Sequence, residues 1–253
     1  QLASAGIETP LPVTVIFTPD EEIGTTSTRE LIEMEARKNK VVLVPDPAGP
    51  SGEATTGRYA IARFNLKTVG RPSHAGARLA EGRSAIAAMA RKILEIEEMT
   101  SEDCTFSVGV IHAGQWVNCV SSECTAEALS MAKRQEDLDA GVAKMLAHAG
   151  EANDVIVEVT RGVTRPVWEA GDGTMKLYGI AREIAKELGF EMAHRSSGGG
   201  SDGNFTGALG IATLDSLGVR GKGAHTLEEH IEIASLTERA QLMAELFVRI
   251  DGT

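Results

Sequence analysis

The pattern of apolar and polar positions changes twice along the chain. Residues 13–17, VTVIF, are short, β-branched and apolar on both faces, as in a buried strand. Residues 28–37 follow a helical period, and residues 41–44, VVLV, repeat the buried-strand pattern. Strand, helix, strand predicts a parallel α/β layer. Ligand sites in such layers lie outside the carboxyl ends of the strands, where this chain carries Asp20, Glu21, Glu22 and Asp46.

After Gly57 the run RYAIARFNLKTV alternates, with Ala60, Ala62, Phe64 and Leu66 on one face. An amphipathic helix over 83–97 follows, its stripe made of Ile86, Met89, Ala90, Ile93 and Leu94. Strands at 105–111 and 119–131, a helix at 137–148 and a strand at 155–160 complete a β-α-β-β-α-β order, the ferredoxin-like arrangement. From Thr174 the α/β pattern returns with a helix over 175–188. The Gly-rich SSGGGSDGNF, the apolar IATL and a loop, GVRGKGAHTLEEHIEI, lead to a last helix over 236–250. Ser235 and Glu238 have the spacing of a capping box at its start. The predicted organisation is an α/β domain made of residues 1–57 and 165–253, interrupted by a second domain, 58–164.

A chain of 253 residues is long enough for two cores, and an apolar content of 42% indicates a globular fold. The formal net charge of -11 argues against nucleic acid and anionic membrane as partners, since both need a basic face. No run of eighteen apolar residues is present to span a bilayer. Cys104, Cys119 and Cys124 are odd in number and fit no zinc-knuckle spacing, which indicates reduced thiols and a cytoplasmic setting. The chain starts at Gln1 rather than Met, and QLASAG reads as the tail of a helix. The expectation is that a natural N-terminal part precedes it.

The acids of TPDEEIG end an apolar run, so simple solvation is harder for them than for an isolated acidic turn. Neighbouring residues on a strand point to opposite sides, so Glu21 and Glu22 cannot share one job. One can bind a metal while the other handles a proton, the division that metal-assisted hydrolysis requires. His225 and His230, five apart in GAHTLEEH, do not share one helix face and so are not a His-Glu-x-x-His zinc pair. One imidazole from the Gly-flanked loop, His225, is the better ligand candidate. GGGSDG matches a dinucleotide fingerprint at Gly198, Gly200 and Gly203 and a nucleophile elbow at Ser201, with Asp215 and His225 in triad order. Both motifs need a buried strand before them, and EMAHRSS does not read as one; exposed backbone N–H groups there suit a carboxylate better. His74 in GRPSHAG is either a surface-loop histidine or a donor to an oxyanion. Arg165, with Arg161 as its rival, is placed to clamp a carboxylate bidentately.

Together TPDEEIGT, GRPSHAG, VNCVSSECTAE, VTRP, SGGGSDGNF and GAHTLEEHIEI resemble, in this order, the aminoacylase/carboxypeptidase family of dinuclear zinc metallopeptidases. That family includes glutamate carboxypeptidase, acetylornithine deacetylase, succinyl-diaminopimelate desuccinylase and peptidase T. The likeness runs over nearly the whole chain and is nearest to glutamate carboxypeptidase. It implies a zinc-exopeptidase-like α/β catalytic domain, interrupted by a ferredoxin-like dimerisation or lid domain through which the protein forms a homodimer. It also implies roles. Glu21 is the general base and Glu22 a zinc ligand, while Asp46 and His225 each bind one of two zinc ions, with cobalt or manganese as alternatives. His74 reaches across the dimer and steadies the oxyanion. Asn118, Arg165 and the backbone around Gly199 and Gly200 hold the substrate. The implied reaction is hydrolysis of an amide bond in a small peptide or N-acyl amino acid with a free carboxylate.

The sequence departs from that pattern twice. The family's remaining zinc ligands come from an upstream His-x-Asp motif, and none of the six histidines here is followed by x-Asp. Asp46, Glu22 and His225 then give neither metal the three protein ligands typical of catalytic zinc, so this chain alone is expected to bind zinc weakly and to be inactive. Where relatives read Asp-Val-Arg, the insert reads Leu129-Ser130-Met131, which leaves more of the carboxylate to Arg165. Two rival readings remain: a non-catalytic relative that kept the fold but not the metal site, and a serine hydrolase using Ser201.

Overall fold

The computed structural model describes residues 2–251. In chain order the elements of the first half are α1 (Arg29–Ala36), β1 (Val41–Leu43), β2 (Ala54–Arg58), β3 (Ala60–Val69), α2 (Ala85–Glu97), β4 (Cys104–Ala113) and β5 (Glu123–Ala132). Then come α3 (Gln135–Leu146), β6 (Gly150–Ala152), β7 (Val155–Arg165), α4 (Asp172–Glu187), β8 (His194–Ser197), α5 (Gly203–Ala208), β9 (Ala212–Leu214), β10 (Gly221–Lys222), β11 (His230–Ile231) and α6 (Ala234–Arg249). They fall into two compact units, Gln1–Tyr59 with Pro166–Thr253, and Ala60–Arg165.

The first unit is mixed α/β. β1 lies parallel to β9 and β2 parallel to β8, while an antiparallel bridge joins Thr55 to Asp215. Its core forms where α4 and α6 turn their apolar stripes inward. Leu177, Ala181, Ile184 and Ala185 of α4 recur at helical spacing and pack with Leu242 and Leu246 of α6 and Leu214 of β9. Each fully buried Leu or Ile contributes about 1.5–3 kcal/mol of apolar burial. Ser235 corrects the expected capping box. It lies inside α6, where its hydroxyl donates to the Glu232 carbonyl (2.7 Å) and accepts the Arg220 N–H (2.9 Å). Glu238 instead meets Arg220 Nη1 at 2.8 Å.

Residues 13–17 differ from expectation. They form no ladder among the described residues, and Val15 and Phe17 are 66% and 91% exposed. An apolar run needs a covering layer to become a buried strand, and the described residues put none over it.

The second unit holds one antiparallel sheet, ordered β4-β5-β3-β7-β6. Alternation along β3 buries Ala60, Ala62, Phe64 and Leu66 on the face covered by α2 and α3. Asn153 and Asp154, both at positive φ, close the tight β6–β7 hairpin in the manner of a type I′ turn. Ser84 caps α2 by accepting the Ala87 N–H at 3.1 Å. The buried face of α2 is Ala85, Met89 and Ile96, and Ile86, Ala90 and Leu94 of the expected stripe are exposed. The helix is therefore apolar on two faces, and only one of them meets the sheet.

Candidate active site

The acidic loop is built around Asp20. Its buried carboxylate accepts the Ser27 N–H (2.7 Å), the Ser27 hydroxyl (2.8 Å) and the Thr28 hydroxyl. These bonds, the Thr28 hydroxyl foremost, hold its pKa down at about 2. A second carboxylate, Asp202 of the Gly-rich segment, accepts from Thr25 Oγ1 (2.6 Å) and Thr18 Oγ1 (3.0 Å), tying both ends of the loop down. Thr25 takes a left-handed φ of 59°, an unfavourable conformation for a β-branched residue, and is held there by this contact and by its N–H to the Asp20 carbonyl (2.7 Å). With Asp20 turned inward, Glu21 is half-buried and Glu22 exposed.

Three residues and one short segment, at the carboxyl ends of four strands, make the next part of the site. Asp46 follows β1, Arg58 ends β2, the Gly199–Ser201 segment follows β8, and Asp215 follows β9. Arg58 Nε donates to Asp215 Oδ2 (2.6 Å), Nη1 to the Gly199 carbonyl (2.7 Å), and Nη2 lies 3.4 Å from Asp46 Oδ2. Ser201 Oγ donates to the same Asp215 oxygen (2.5 Å) and accepts the Gly203 N–H (3.0 Å). Burial pushes the Asp46 carboxyl up to about 7, and Asp215, Glu21 and Asp202 add to that; Arg58 offsets only part.

His225 lies in the loop between β10 and β11. Its backbone is left-handed (φ 64°), and its Nε2 lies 3.5 Å from Glu22 Oε2. Two ligands on one tetrahedral zinc, at about 2.0–2.2 Å, stand about 3.3–3.6 Å apart. Glu22 and His225 thus fit a shared divalent ion in both chemistry and spacing. Among the described residues, no group of three or more His, Cys, Asp or Glu side chains is placed to hold a metal. His230 is exposed on β11, and its Nδ1 donates to the Glu228 carbonyl (2.7 Å).

The other predicted residues lie on the second unit. His74 Nδ1 accepts the N–H groups of Gly76 and Ala77, both at 3.1 Å. This fixes the neutral ring as the Nε2–H tautomer, a hydrogen-bond donor. A bridge from His74 to Cys119 and the Ala75 N–H to Asn118 carbonyl bond (2.9 Å) place His74 and Asn118 side by side. Arg165 is buried at the end of β7, whereas Arg161 is exposed.

Sequence reasoning did not single out Arg58, Asp202 or Thr25. Arg58 read as the first residue of an alternating strand, and the strand break at Tyr59 that turns its side chain inward has no sequence signal. Asp215 was weighed only as a triad member. A strand, β8, does precede the Gly-rich segment, but it is half-exposed and is not the buried strand that both motifs need. Ser201 is nevertheless fully buried, and no histidine hydrogen-bonds it among the described residues. The cysteines Cys104, Cys119 and Cys124 are all free thiols.

A sequence profile of the peptidase family M20/M25/M40 matches residues 1–249. Carboxypeptidase G2 of Pseudomonas sp. (strain RS-16) is 30% identical over 245 residues, 93% of this chain and 59% of that protein. A solved tripeptidase from Staphylococcus aureus subsp. aureus Mu50 superposes with a TM-score of 0.72 at 26% identity, over 88% of this chain and 62% of that one. Aminopeptidase PepT from Bacillus cereus ATCC 10987 gives a TM-score of 0.67 at 26% identity, over 87% and 61%. The chain therefore spans about three-fifths of the length of each.

Proposed function

Because this chain belongs to the peptidase family M20/M25/M40, we propose that the full-length protein hydrolyses an amide bond next to a free carboxylate. It acts as a carboxypeptidase of the glutamate carboxypeptidase kind or as an N-acyl amino acid deacylase. The observation that carries this reading is the surplus of carboxylate around Asp46. Asp215, Glu21 and Asp202 all push the Asp46 carboxyl up while Arg58 offsets only part, an arrangement that suits a cation beside Asp46. Glu22, Asp46 and His225 would hold two zinc ions, or cobalt or manganese, with further ligands from outside this set. When bound, the metals supply the Lewis acid that acidifies water and polarises the scissile carbonyl. Glu21 takes the proton of the attacking water and returns it to the leaving amine. His74, through its Nε2–H, donates to the oxyanion. Asn118, Arg165 and the backbone N–H groups at Gly199 and Gly200 hold the substrate and its carboxylate.

The same reading makes the second unit a dimerisation domain. Ile86, Ala90 and Leu94 form an exposed stripe at i, i+4 and i+8 on α2, and β4 is an edge strand that exposes Val110 and Ile111. A second copy covers both through one interface. Free thiols accord with a cytoplasmic setting.

Separate variants of the full-length protein test the roles. Glu21→Gln is expected to lower kcat by about 100- to 10,000-fold with metal content unchanged. Glu22→Gln and His225→Ala are expected to lower metal content itself. Full turnover by Glu21→Gln on every N-acyl amino acid and dipeptide tried would remove the assignment.

A further inference from the structure

Arg58 occupies a position that the family resemblance does not assign. The residue is 7% exposed, and its three side-chain nitrogens face three different parts of the site. Nε meets Asp215 at 2.6 Å, Nη1 the Gly199 carbonyl at 2.7 Å, and Nη2 Asp46 at 3.4 Å. Asp215 is fully buried and also accepts the Ser201 hydroxyl at 2.5 Å, so the Gly-rich segment is tied to Arg58 both directly and through Asp215. The planar, forked donor set of arginine is what allows one side chain to hold three acceptors in fixed directions; a lysine ammonium on its flexible stem does not. Were Arg58 only the counter-ion of Asp215, one of these contacts would suffice.

We propose that Arg58 is a positioning residue that locks the Asp46 carboxylate and the Gly199–Gly200 backbone into one fixed relation, so that metal ligand and substrate cradle do not move independently. This rests on the reading of Asp46 as a metal ligand and of Gly199 and Gly200 as the substrate-holding backbone. Outer partners of ligating carboxylates commonly carry 10- to 100-fold in metal affinity.

The test uses the full-length protein and Arg58→Lys, which keeps a positive charge beside Asp215. The readouts are zinc affinity by competition with a chromophoric chelator, KM and kcat separately on an N-acyl amino acid, and the melting temperature. The expected result is a zinc affinity lower by about 10- to 100-fold together with a raised KM. Leu246→Ala, which opens a cavity in the core of the same unit and touches none of these residues, serves as the stability control. It is expected to lower the melting temperature and leave zinc affinity and KM alone. If Arg58→Lys behaves like Leu246→Ala, the positioning role is overturned while the functional reading stands. Asp46→Asn tests that reading separately. If it leaves zinc affinity and turnover at the parent values, the reading falls and the role of Arg58 falls with it.

Discussion

Asp20 and Asp46 are both aspartates near the same loop, and their surroundings move them in opposite directions. Asp20 is lowered to about 2 from 3.8, so between those values the unfolded chain binds more protons than the folded one. Its contribution to stability is complete above pH 3.8 and is lost as pH falls towards 2. Asp20→Asn should therefore lower the melting temperature at pH 7, with the gap to the parent narrowing as pH drops from 4 to 2 in thermal scans. Asp46 is raised to about 7, so the folded chain holds a proton that the unfolded chain has released. Its ionised form weighs against the fold above pH 7 and does not below pH 3.8. In chelator-treated chain, Asp46→Asn should raise the melting temperature at pH 8 and leave it nearly unchanged at pH 4. The acids were legible in TPDEEIG and PDP; which of them turns inward was not. Whether an acid faces in or out depends on Ser27, Thr28, Thr18 and Thr25, whose hydroxyls have no periodicity to read.

Among the elements, periodicity served best where a face is buried within one unit. The alternation of β3 matched its buried residues, because a packed face leaves its period in the sequence. It misled at 13–17 and on α2, where apolar residues are exposed. An apolar pattern records that a surface is covered, not by what. On α2 this yields a direct expectation: Leu94→Glu should leave the fold intact, since the side chain is 64% exposed, and should convert a dimer to a monomer in light scattering. An unchanged dimer would remove the α2 stripe from the interface. Ser84→Ala, by contrast, should cost about 1 kcal/mol in urea denaturation through loss of the α2 cap.

At the scale of the whole molecule, each of the two units holds residues to which the proposed function gives a role. The first supplies the acids, Arg58 and the Glu22–His225 pair at 3.5 Å; the second supplies a histidine whose tautomer is fixed as a donor by Gly76 and Ala77. Isothermal titration of this chain with zinc should show weak binding, because two ligands in contact do not make the three of a catalytic site. The most direct test of metal-dependent hydrolysis is one assay of the full-length protein on N-acyl amino acids and dipeptides, with and without a chelator. The account predicts that activity is lost on chelation, returns with zinc, cobalt or manganese, and resists a fluorophosphonate. Activity that survives the chelator and is abolished by the fluorophosphonate would contradict it.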